Sequence, residues 1–586
     1  MKTKILTIGL LVLLTGCMKD VLDRKPLNII SDEDVWKSKE LVEIYMASLY
    51  DAIPIGFATA SAGFGSYLTD EATYHEDATV VNNYGATGYA KNVDIYSWIR
   101  RVNYFLEHIG TSTLEEDDIA ELTAEAKFIR AYYYFDLARK YGGMPIIDKV
   151  QIYDNNLEEL QLPRNKEEEV WNFILTDLDS AVMDLPEARD AKQENRATKY
   201  VALALKSRAM LYAGSIARYG SVQLNGILGV PSDRADFYFE QALEASRAVM
   251  DSKQYSLYTK SYDPATKSGD PVLNYQSIFT DENNEEIIFQ KAYSYPDKAH
   301  SYDNFNIPEG FTTNNGSAID PTLEMVESYE YIDGRAGTLD LSREYASPTD
   351  IFQGKDPRFE ASVLHGGSAT GWGRPVEIYR GIHADGKLYQ SLQPFPSDPA
   401  RRQVGLDGPF PTGNFSKTGF YIKKYMNMGE RVVEPGYSDQ NFIDIRYAEI
   451  LLNYAEAALE LNEQKAAALQ AINEIRARAG IKTLDASALT LEKVRHERKV
   501  ELAFEGKRFW DIRRWRIGTD LFRGSYMHGL WPYLTYKNGT YTYTYEKQQG
   551  YPIDVGLPRT FSQRDYYSTL ADYIASNPNI VNNPGW

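Results

Sequence analysis

Cysteine is nearly absent from this chain, which has only Cys17 among its 586 residues. A single cysteine excludes a disulfide within the chain and a cysteine cluster for zinc. It follows Leu14-Thr15-Gly16, and a basic start with Lys2 and Lys4 and an apolar run over residues 5–14 lie before it. This order is typical of a secretory signal that ends in a lipobox. We therefore expect cleavage of residues 1–16 and acylation of Cys17, which would anchor the chain to a membrane by lipid.

Long apolar runs and an excess of positive charge are also lacking. The apolar run of residues 5–14 is shorter than the roughly 20 residues of a transmembrane helix, and no other segment is apolar enough to span. The net charge of −19 becomes −19 − 2 = −21 once Lys2 and Lys4 are removed. The main basic clusters, such as Arg100-Arg101, are isolated pairs. Both observations argue against nucleic acid as a partner.

Motifs for catalysis, metals and cofactors are missing as well. His75-Glu76 begins like a zinc-protease helix, but Thr79 stands where the second histidine must coordinate the metal. There is no G-x-S-x-G nucleophile elbow and no phosphate-binding loop, and the seven histidines are scattered. A glycosidase with two carboxylates remains the rival reading, although 82 acidic residues always supply some pair. We expect no catalytic residue, no metal site and no cofactor.

Tyrosine is the abundant residue, with 44 in the chain beside 8 tryptophans. Apolar residues at helical spacing predict helices after the capping start at 31–34 and in a further set of segments. These segments are about 94–110, 115–141, 165–184, 197–218, 235–251, 445–461, 464–479 and 488–505. Small residues alternate with aromatic ones, as at Ala131 and Phe135 or Ala209 and Tyr212. This alternation suggests stacked, tetratricopeptide-like helix pairs in a mainly α fold.

Residues 255–440 and 521–586 differ from this helical pattern. They are rich in loop-forming residues, with short strands such as Glu286–Gln290 and a two-faced strand over 540–545. We interpret residues 17–586 as one integrated body. Residues 17–254 and 441–520 form its mainly helical scaffold, and the two loop-rich segments face the ligand.

Several long motifs resemble those of the SusD/RagB family. The run EAKFIRAYYYFDL at 125–137 continues into RKYGGMPII at 139–147, and both are similar to a helix and loop found across that family. RATK at 196–199, NEEIIF at 284–289 and DPRF at 356–359 follow in family order. IRYAEILLNYAEA at 445–457 and ERKVELAFEGKRFWDIRRW at 497–515 are similar to its late helices. The resemblance covers essentially the whole mature chain.

The resemblance implies a SusD-like fold of tetratricopeptide-like helix pairs packed against an irregular domain. It also implies a lipid-anchored protein on the surface of the outer membrane that binds a glycan and is not an enzyme. The implied partner is a TonB-dependent transporter of the SusC type, which receives the oligosaccharide. Uptake of peptides or another nutrient by the same fold remains the alternative.

The motifs themselves carry charged residues among apolar ones, where charges persist mainly as hydrogen-bonded pairs. We therefore expect structural ion pairs rather than ligand contacts for Arg130, Glu497, Arg498, Glu501, Arg508 and Asp511. On helix 94–109 the spacing of Trp98 predicts a core position.

A glycan needs flat aromatic faces for its C–H surfaces and polar side chains for its hydroxyl groups. Aromatic residues outside helical periodicity are therefore the candidates. Trp372 stands first, because the flanking Gly371 and Gly373 suit a loop tip. The other candidates lie in two stretches, with Tyr74, Asn82, Asn83, Tyr84 and Tyr89 in the first and Tyr295, Tyr302, Asn304 and Phe305 in the second.

Overall fold

The computed structural model describes residues 32–57, 65–74, 81–82, 84, 94–312, 316–383, 386–396, 398–408, 413–429, 434–537, 539–548 and 558–586. Helices are the main regular secondary structure of the described residues. The α-helices, in chain order, are α1 (Asp32–Val35), α2 (Lys39–Asp51), α3 (Ile95–Ile109), α4 (Glu116–Tyr141), α5 (Glu167–Asp184), α6 (Lys199–Tyr219), α7 (Ala235–Ser252), α8 (Pro271–Ser277), α9 (Tyr302–Asn306), α10 (Leu323–Ser328), α11 (Pro357–Ser362), α12 (Tyr447–Glu460), α13 (Lys465–Arg478), α14 (Leu491–Glu501), α15 (Arg508–Arg514), α16 (Gly518–Leu521) and α17 (Ala571–Ser576).

The strands are short, apart from one hairpin. They are β1 (Ala72–Tyr74), β2 (Tyr262–Asp263), β3 (Ser268–Gly269), β4 (Ile287–Lys291), β5 (Ile319–Pro321), β6 (Val363–Leu364), β7 (Arg380–Ile382), β8 (Pro394–Phe395), β9 (Asp398–Arg402), β10 (Tyr421–Ile422), β11 (Phe442–Arg446), β12 (Arg523–Ser525), β13 (Gly529–Lys537), β14 (Thr540–Gln548) and β15 (Arg559–Thr560). Six antiparallel pairs form, namely β1–β5, β2–β3, β4–β11, β6–β10, β8–β9 and β12–β15. In the remaining sheet, β13 pairs with β14 antiparallel and with β7 parallel.

The long helices stack side by side, as the helix-pair prediction requires. Each of α3 to α6 packs on its successor, and α12 packs against α7, α13 and α14. The small residues allow this close approach. At Gly214 of α6, a Cβ atom would lie 2.8 Å from the Phe239 ring of α7. The expectation of a mainly α fold with stacked helix pairs is thus confirmed, with helix bounds close to those expected.

Two helix boundaries, one early and one late in the chain, differ from the predicted ones. The first predicted helix is broken after Val35, and a new one begins at Lys39, where the Ser38 side chain accepts a hydrogen bond from Leu41 N. Helix α14 ends at Glu501 and not near 505, because Phe504 adopts a left-handed φ of 61°. That turn brings the Glu505 carboxylate to Lys424 and Arg446.

A cluster of buried ion pairs lies where the late helices meet the loop-rich part. Its members balance in charge, with Arg358, Arg446, Arg476, Arg478 and Lys424 against Glu286, Asp356, Glu497, Glu501 and Glu505. Glu501 is completely buried, and its oxygens lie 2.6 Å from Arg446 Nη1 and 2.8 Å from Arg358 Nη1. The neighbouring arginines hold the pKa of Glu501 well below its ordinary value despite the opposing effect of burial.

The expected ion pairing of the motif residues is confirmed. Arg130 pairs with Asp177 at 2.8 Å, Arg498 with Asp511 at 2.9 Å and Arg508 with Asp70 at 2.7 Å. Glu497 and Glu501 belong to the buried cluster. Trp98 is half-buried against the core, and the Arg101 guanidinium lies 4.6 Å from its ring centre.

Candidate functional site

The second stretch of predicted ligand-binding residues, 295–305, contains both buried and exposed side chains. Tyr302 and Asn304 are buried in α9, and the Tyr302 hydroxyl donates to the Lys424 carbonyl at 3.1 Å. Phe305 is half-buried against the core. Tyr295 is 40% exposed. Among these candidates, Tyr295 therefore offers the most open ring to a ligand.

Tyr437, which the sequence reasoning missed, lies beside Tyr295 and is equally exposed at 40%. The two ring centres are 4.9 Å apart, with 33° between the ring planes. A hydrogen bond with Tyr295 raises the pKa of Tyr437. The segment Pro435-Gly436-Tyr437 has the same glycine-aromatic pattern that singled out Trp372, so this signal was present in the sequence. Together the two rings form an open aromatic surface, which we call the tyrosine pair.

Two backbone pairings hold the tyrosine pair in place. Ser294 and Lys298 exchange both backbone hydrogen bonds at 2.8 Å, which closes the turn that carries Tyr295. His300 and Ser438 exchange bonds at 2.8 and 3.0 Å, which aligns this turn with the segment of Tyr437. The loops are thus fixed in register with one another before any ligand arrives.

Asp303 links the same segments through hydrogen bonds. Its Oδ1 accepts from Asn427 N at 2.9 Å and from Gln440 Nε2 at 3.1 Å, and its own N–H donates to Ser438 Oγ. Asp303 is almost fully buried. Burial raises the pKa of this carboxyl to about 7, and its hydrogen bonds only partly offset that shift.

Trp372 lies in a loop but folds partly back onto the body. Its ring packs edge-on to Phe311 with 5.1 Å between centres, and the Arg374 guanidinium lies 3.8 Å from the Phe311 ring. The Trp372 indole N–H is enclosed and has no hydrogen-bond partner among the described residues. Gly373 has a φ of 88°, and a Cβ atom there would meet nothing within 4 Å. The loop is open at Gly373, whereas the Trp372 ring is half covered.

The first predicted stretch is described only in part, and Asn83 and Tyr89 lie outside the described residues. Tyr84 is buried, with its ring centre 4.7 Å from that of Phe561. Asn82 donates to the Pro558 carbonyl and accepts from Thr560 N, so its amide joins two parts of the chain. Tyr74 is half-buried, and its ring lies 5.7 Å from that of Tyr67.

The described residues also bear on metal binding and on membrane insertion. Within the described residues, no group of three or more histidine, cysteine, aspartate or glutamate side chains could hold a metal ion. No helix among them combines the length and apolar character needed to cross a membrane. Cys17 and the His75–Thr79 motif lie outside the described residues.

Two family models match the chain. The model described as "SusD family" matches residues 285–586, and the model described as "Starch-binding associating with outer membrane" matches residues 20–211. Among curated proteins, a SusD-like protein of Bacteroides ovatus is 26% identical over 542 residues, which is 88% of this chain and 83% of that protein. The SusD-like protein P38 of Formosa agariphila is 23% identical over 545 residues, 88% of this chain and 92% of its own length.

Solved structures share the fold over nearly the full length. A SusD-like protein from Bacteroides fragilis is 27% identical, with a TM-score of 0.70, and the match covers 96% of this chain and all of that one. A second protein from Bacteroides fragilis, described as a SusD-like carbohydrate binding protein, is 22% identical with a TM-score of 0.69 over 93% of this chain and 99% of its own. A laminarin-binding SusD-like protein is 19% identical with a TM-score of 0.61 over 94% of this chain and all of its own.

Proposed function

The chain belongs to the SusD family, and from this premise we propose that it captures a glycan at the cell surface and delivers it to a SusC-like TonB-dependent transporter. In this proposal, acyl chains on Cys17 hold the protein at the outer membrane. The protein binds its ligand without chemical change. The single observation that carries the binding role is the tyrosine pair, which exposes two adjacent rings on loops held by a rigid helical body.

Exposed tyrosine rings suit a sugar for a physical reason. A pyranose ring presents C–H groups on its faces and hydroxyl groups at its edge. A tyrosine ring offers a flat, electron-rich face to those C–H groups and a hydroxyl group for hydrogen bonds. Two rings 4.9 Å apart offer a wider surface than one, and their fixed loops reduce the entropy lost on binding.

Trp372 is proposed as a secondary contact. Its ring is half covered by Phe311 and the body, so a ligand can reach less of it than of the tyrosine pair. We expect its loss to weaken binding less than the loss of Tyr437. Phe305 and Tyr74 are half-buried, and the Asn82 amide already binds the backbone of Pro558 and Thr560, so we expect weaker contributions from these three residues.

Affinity electrophoresis of the lipid-free chain, starting after Cys17, tests the proposal against a panel of neutral and acidic polysaccharides. We expect one glycan to retard the protein without being degraded. Tyr437→Ala and Tyr295→Ala should each weaken retardation at least about tenfold, which corresponds to about 1.4 kcal/mol. Tyr153→Ala is the matched control, since Tyr153 is 63% exposed in the loop between α4 and α5. If no glycan retards the wild-type protein, the glycan proposal fails, and retention of peptides becomes the next measurement.

The transport step has its own test. Co-purification of the full-length protein with the product of a neighbouring TonB-dependent channel gene would support delivery to that channel. Polysaccharide-degrading enzymes encoded beside these genes would favour a glycan, whereas peptidases would favour peptides. Substitution of Cys17 by alanine should release the protein from the membrane fraction, and continued anchoring would contradict the lipidation proposal.

A further inference from the structure

A pocket of about 320 Å³ lies between the loop that follows α6 and residues 563–584. Pockets for small molecules measure roughly 300–1,000 Å³, so its size suits a small ligand. Several of its lining side chains are exposed and within reach of a ligand from solvent, namely Ser221, Gln223, Gln563 and Arg564. Tyr566 and Tyr567, which also line it, are buried.

Two arginines line this pocket, and they act in different ways. The Arg564 side chain is 50% exposed, and its Nη1 donates to the Gly585 carbonyl at 3.3 Å. Most of its five donors are therefore available to a ligand. Arg516 is half-buried, with Nη2 donating to the Tyr567 hydroxyl at 2.6 Å and Nη1 enclosed. Arg564 can thus bind a ligand directly, whereas Arg516 acts through its charge. We call this site the arginine pocket.

Two further arginines lie behind the arginine pocket and are buried. Arg164 donates to Asn583 Oδ1 at 2.9 Å, and Arg513 donates to the Tyr566 carbonyl at 3.3 Å, so each contacts a residue of the pocket. Their other hydrogen-bond partners among the described residues are backbone carbonyls and not carboxylates. Burial without a carboxylate partner lowers the pKa of each of these arginines to about 10.

The charges around the arginine pocket do not balance, unlike those of the buried ion-pair cluster. Two carboxylates lie close to its four arginines. Glu167 is completely buried, and burial raises its pKa. Asp565 lies 3.6 Å from Arg564. A further carboxylate, Glu460, is already paired with Arg495 at 2.9 Å. Four positive charges against two negative ones leave +2 on a chain whose net charge is −19.

This excess of positive charge favours an anionic ligand and disfavours a cation. The carbonyl end of α6 opposes an anion, but with a partial charge of only about −0.5. The exposed Gln223 and Gln563 amides and the Ser221 hydroxyl can both donate and accept hydrogen bonds. Hydroxyl groups on the ligand would satisfy them. A sugar that carries a carboxylate or a sulfate combines both properties.

We propose that the arginine pocket binds an acidic sugar unit, whose anionic group contacts Arg564 and whose hydroxyl groups contact Gln223 and Gln563. The pocket shares no residue with the tyrosine pair, so the inference goes beyond the binding surface already described. It rests on the proposed function in one respect, namely that a sugar carries the anionic group.

Trp586 provides a local readout, because its ring centre lies 4.5 Å from the Arg564 guanidinium. The lipid-free protein with isotope-labelled indole groups is titrated with glucuronate, galacturonate or a sulfated glucose up to about 100 mM, well above weak millimolar affinity. Trp586→Phe assigns the signal. We expect at least one acidic sugar to shift it in a saturable way, at least about tenfold more tightly than glucose or galactose.

Three results of this titration overturn the proposal. The first is silence of the Trp586 signal with every acidic sugar. The second is an equal response to neutral sugars, which would show that charge has no role. The third is inorganic sulfate binding as tightly as the best acidic sugar, which would show an ion site without hydroxyl contacts. Added salt should weaken the response, and an affinity independent of salt also contradicts the proposal.

Variants separate the charge from the amide contacts. Arg564→Gln should weaken the response to acidic sugars at least about fivefold, as expected for one ion pair in water. Arg335→Gln is the matched control, because Arg335 is 62% exposed, lies 3.3 Å from Asp333 and stacks on the Tyr331 ring at 3.6 Å. Gln563→Met should weaken binding of acidic sugars and leave that of inorganic sulfate unchanged.

Titration calorimetry repeats these measurements, since Arg564 also contacts the reporter ring. Undiminished binding in Arg564→Gln, or a loss of the same size in Arg335→Gln, overturns the assigned role of Arg564. Undiminished binding of acidic sugars in Gln563→Met overturns the assigned hydroxyl contact.

The two proposals fail in distinguishable ways. Retardation by a polysaccharide that is lost in Tyr437→Ala reports on the tyrosine pair, whereas the Trp586 signal reports on the arginine pocket. Such retardation without a Trp586 response to acidic sugars refutes the arginine pocket alone. Trp586 shifts without retardation by any polysaccharide support the arginine pocket and refute glycan capture through the tyrosine pair.

Discussion

Replacing Glu501 by glutamine removes one negative charge from the centre of the buried ion-pair cluster. Glu501 is fully buried and contacts Arg358, Arg446 and Arg478. The glutamine keeps the size of the side chain, but its NH₂ group would face guanidinium donors. One buried positive charge then lacks compensation, which typically costs about 3–5 kcal/mol. A whole domain is stable by only about 5–15 kcal/mol, so the loss should be large.

Urea unfolding followed by tryptophan fluorescence measures this loss. We expect a much lower midpoint with an unchanged slope, since the surface exposed on unfolding stays the same. Asp520→Asn is the control, because Asp520 pairs with Arg523 at the surface, where both side chains are about 70% exposed. It should cost less than about 1 kcal/mol. A loss below about 1 kcal/mol for Glu501→Gln would refute the argument that the cluster depends on its charge balance.

Stability should also depend on pH and on the contact between α6 and α7. Burial raises the pKa of Asp303 to about 7, so the folded chain retains a proton that the unfolded chain releases near pH 4. The stability linked to this proton is lost as the pH rises from about 4 through about 7. Asp303→Asn should therefore make the thermal midpoint less dependent on pH between about 5 and 8, and an unchanged dependence would argue against this assignment. Gly214→Ala should lower the thermal midpoint, because the new Cβ would lie 2.8 Å from the buried Phe239 ring. Overpacking of this kind costs about 1–3 kcal/mol, and a raised midpoint would show that helix propensity outweighs it.

The long helices were predictable because each presents several turns of apolar residues to its neighbours. The four short helices in the described part of residues 255–440 were not, since five to seven residues make fewer than two turns. Two of them nevertheless begin with the same local pattern, a capping aspartate followed by proline. Asp270 before Pro271 caps α8, and Asp356 before Pro357 caps α11. The same dipeptide at 263–264, 320–321 and 398–399 lies in or beside short strands, so it does not predict a helix by itself.

The site was harder to predict, because exposure in a loop depends on distant contacts. Tyr295 and Tyr302 look alike in sequence, yet Tyr302 is buried by its bond to Lys424, which lies more than a hundred residues away. Tyr437 lies beside Tyr295 because His300 pairs with Ser438, which is distant in sequence. Such pairing has no periodic signal in a single sequence.

The buried ion pairs and the tyrosine pair are connected through one small sheet, which links stability to binding. In the pair β4–β11, Lys291 stands opposite Phe442, and the loops that carry Tyr295 and Tyr437 leave the strands at this end. At the other end of the same strands, Arg446 of β11 binds Glu286, which directly precedes β4, at 2.7 Å. Because the ion-pair cluster fixes its end of the sheet, the strands beneath the tyrosine pair need not be ordered when a ligand binds. The strongest electrostatic contacts thus lie away from the two exposed rings, where they stabilise the strands without occupying the binding surface.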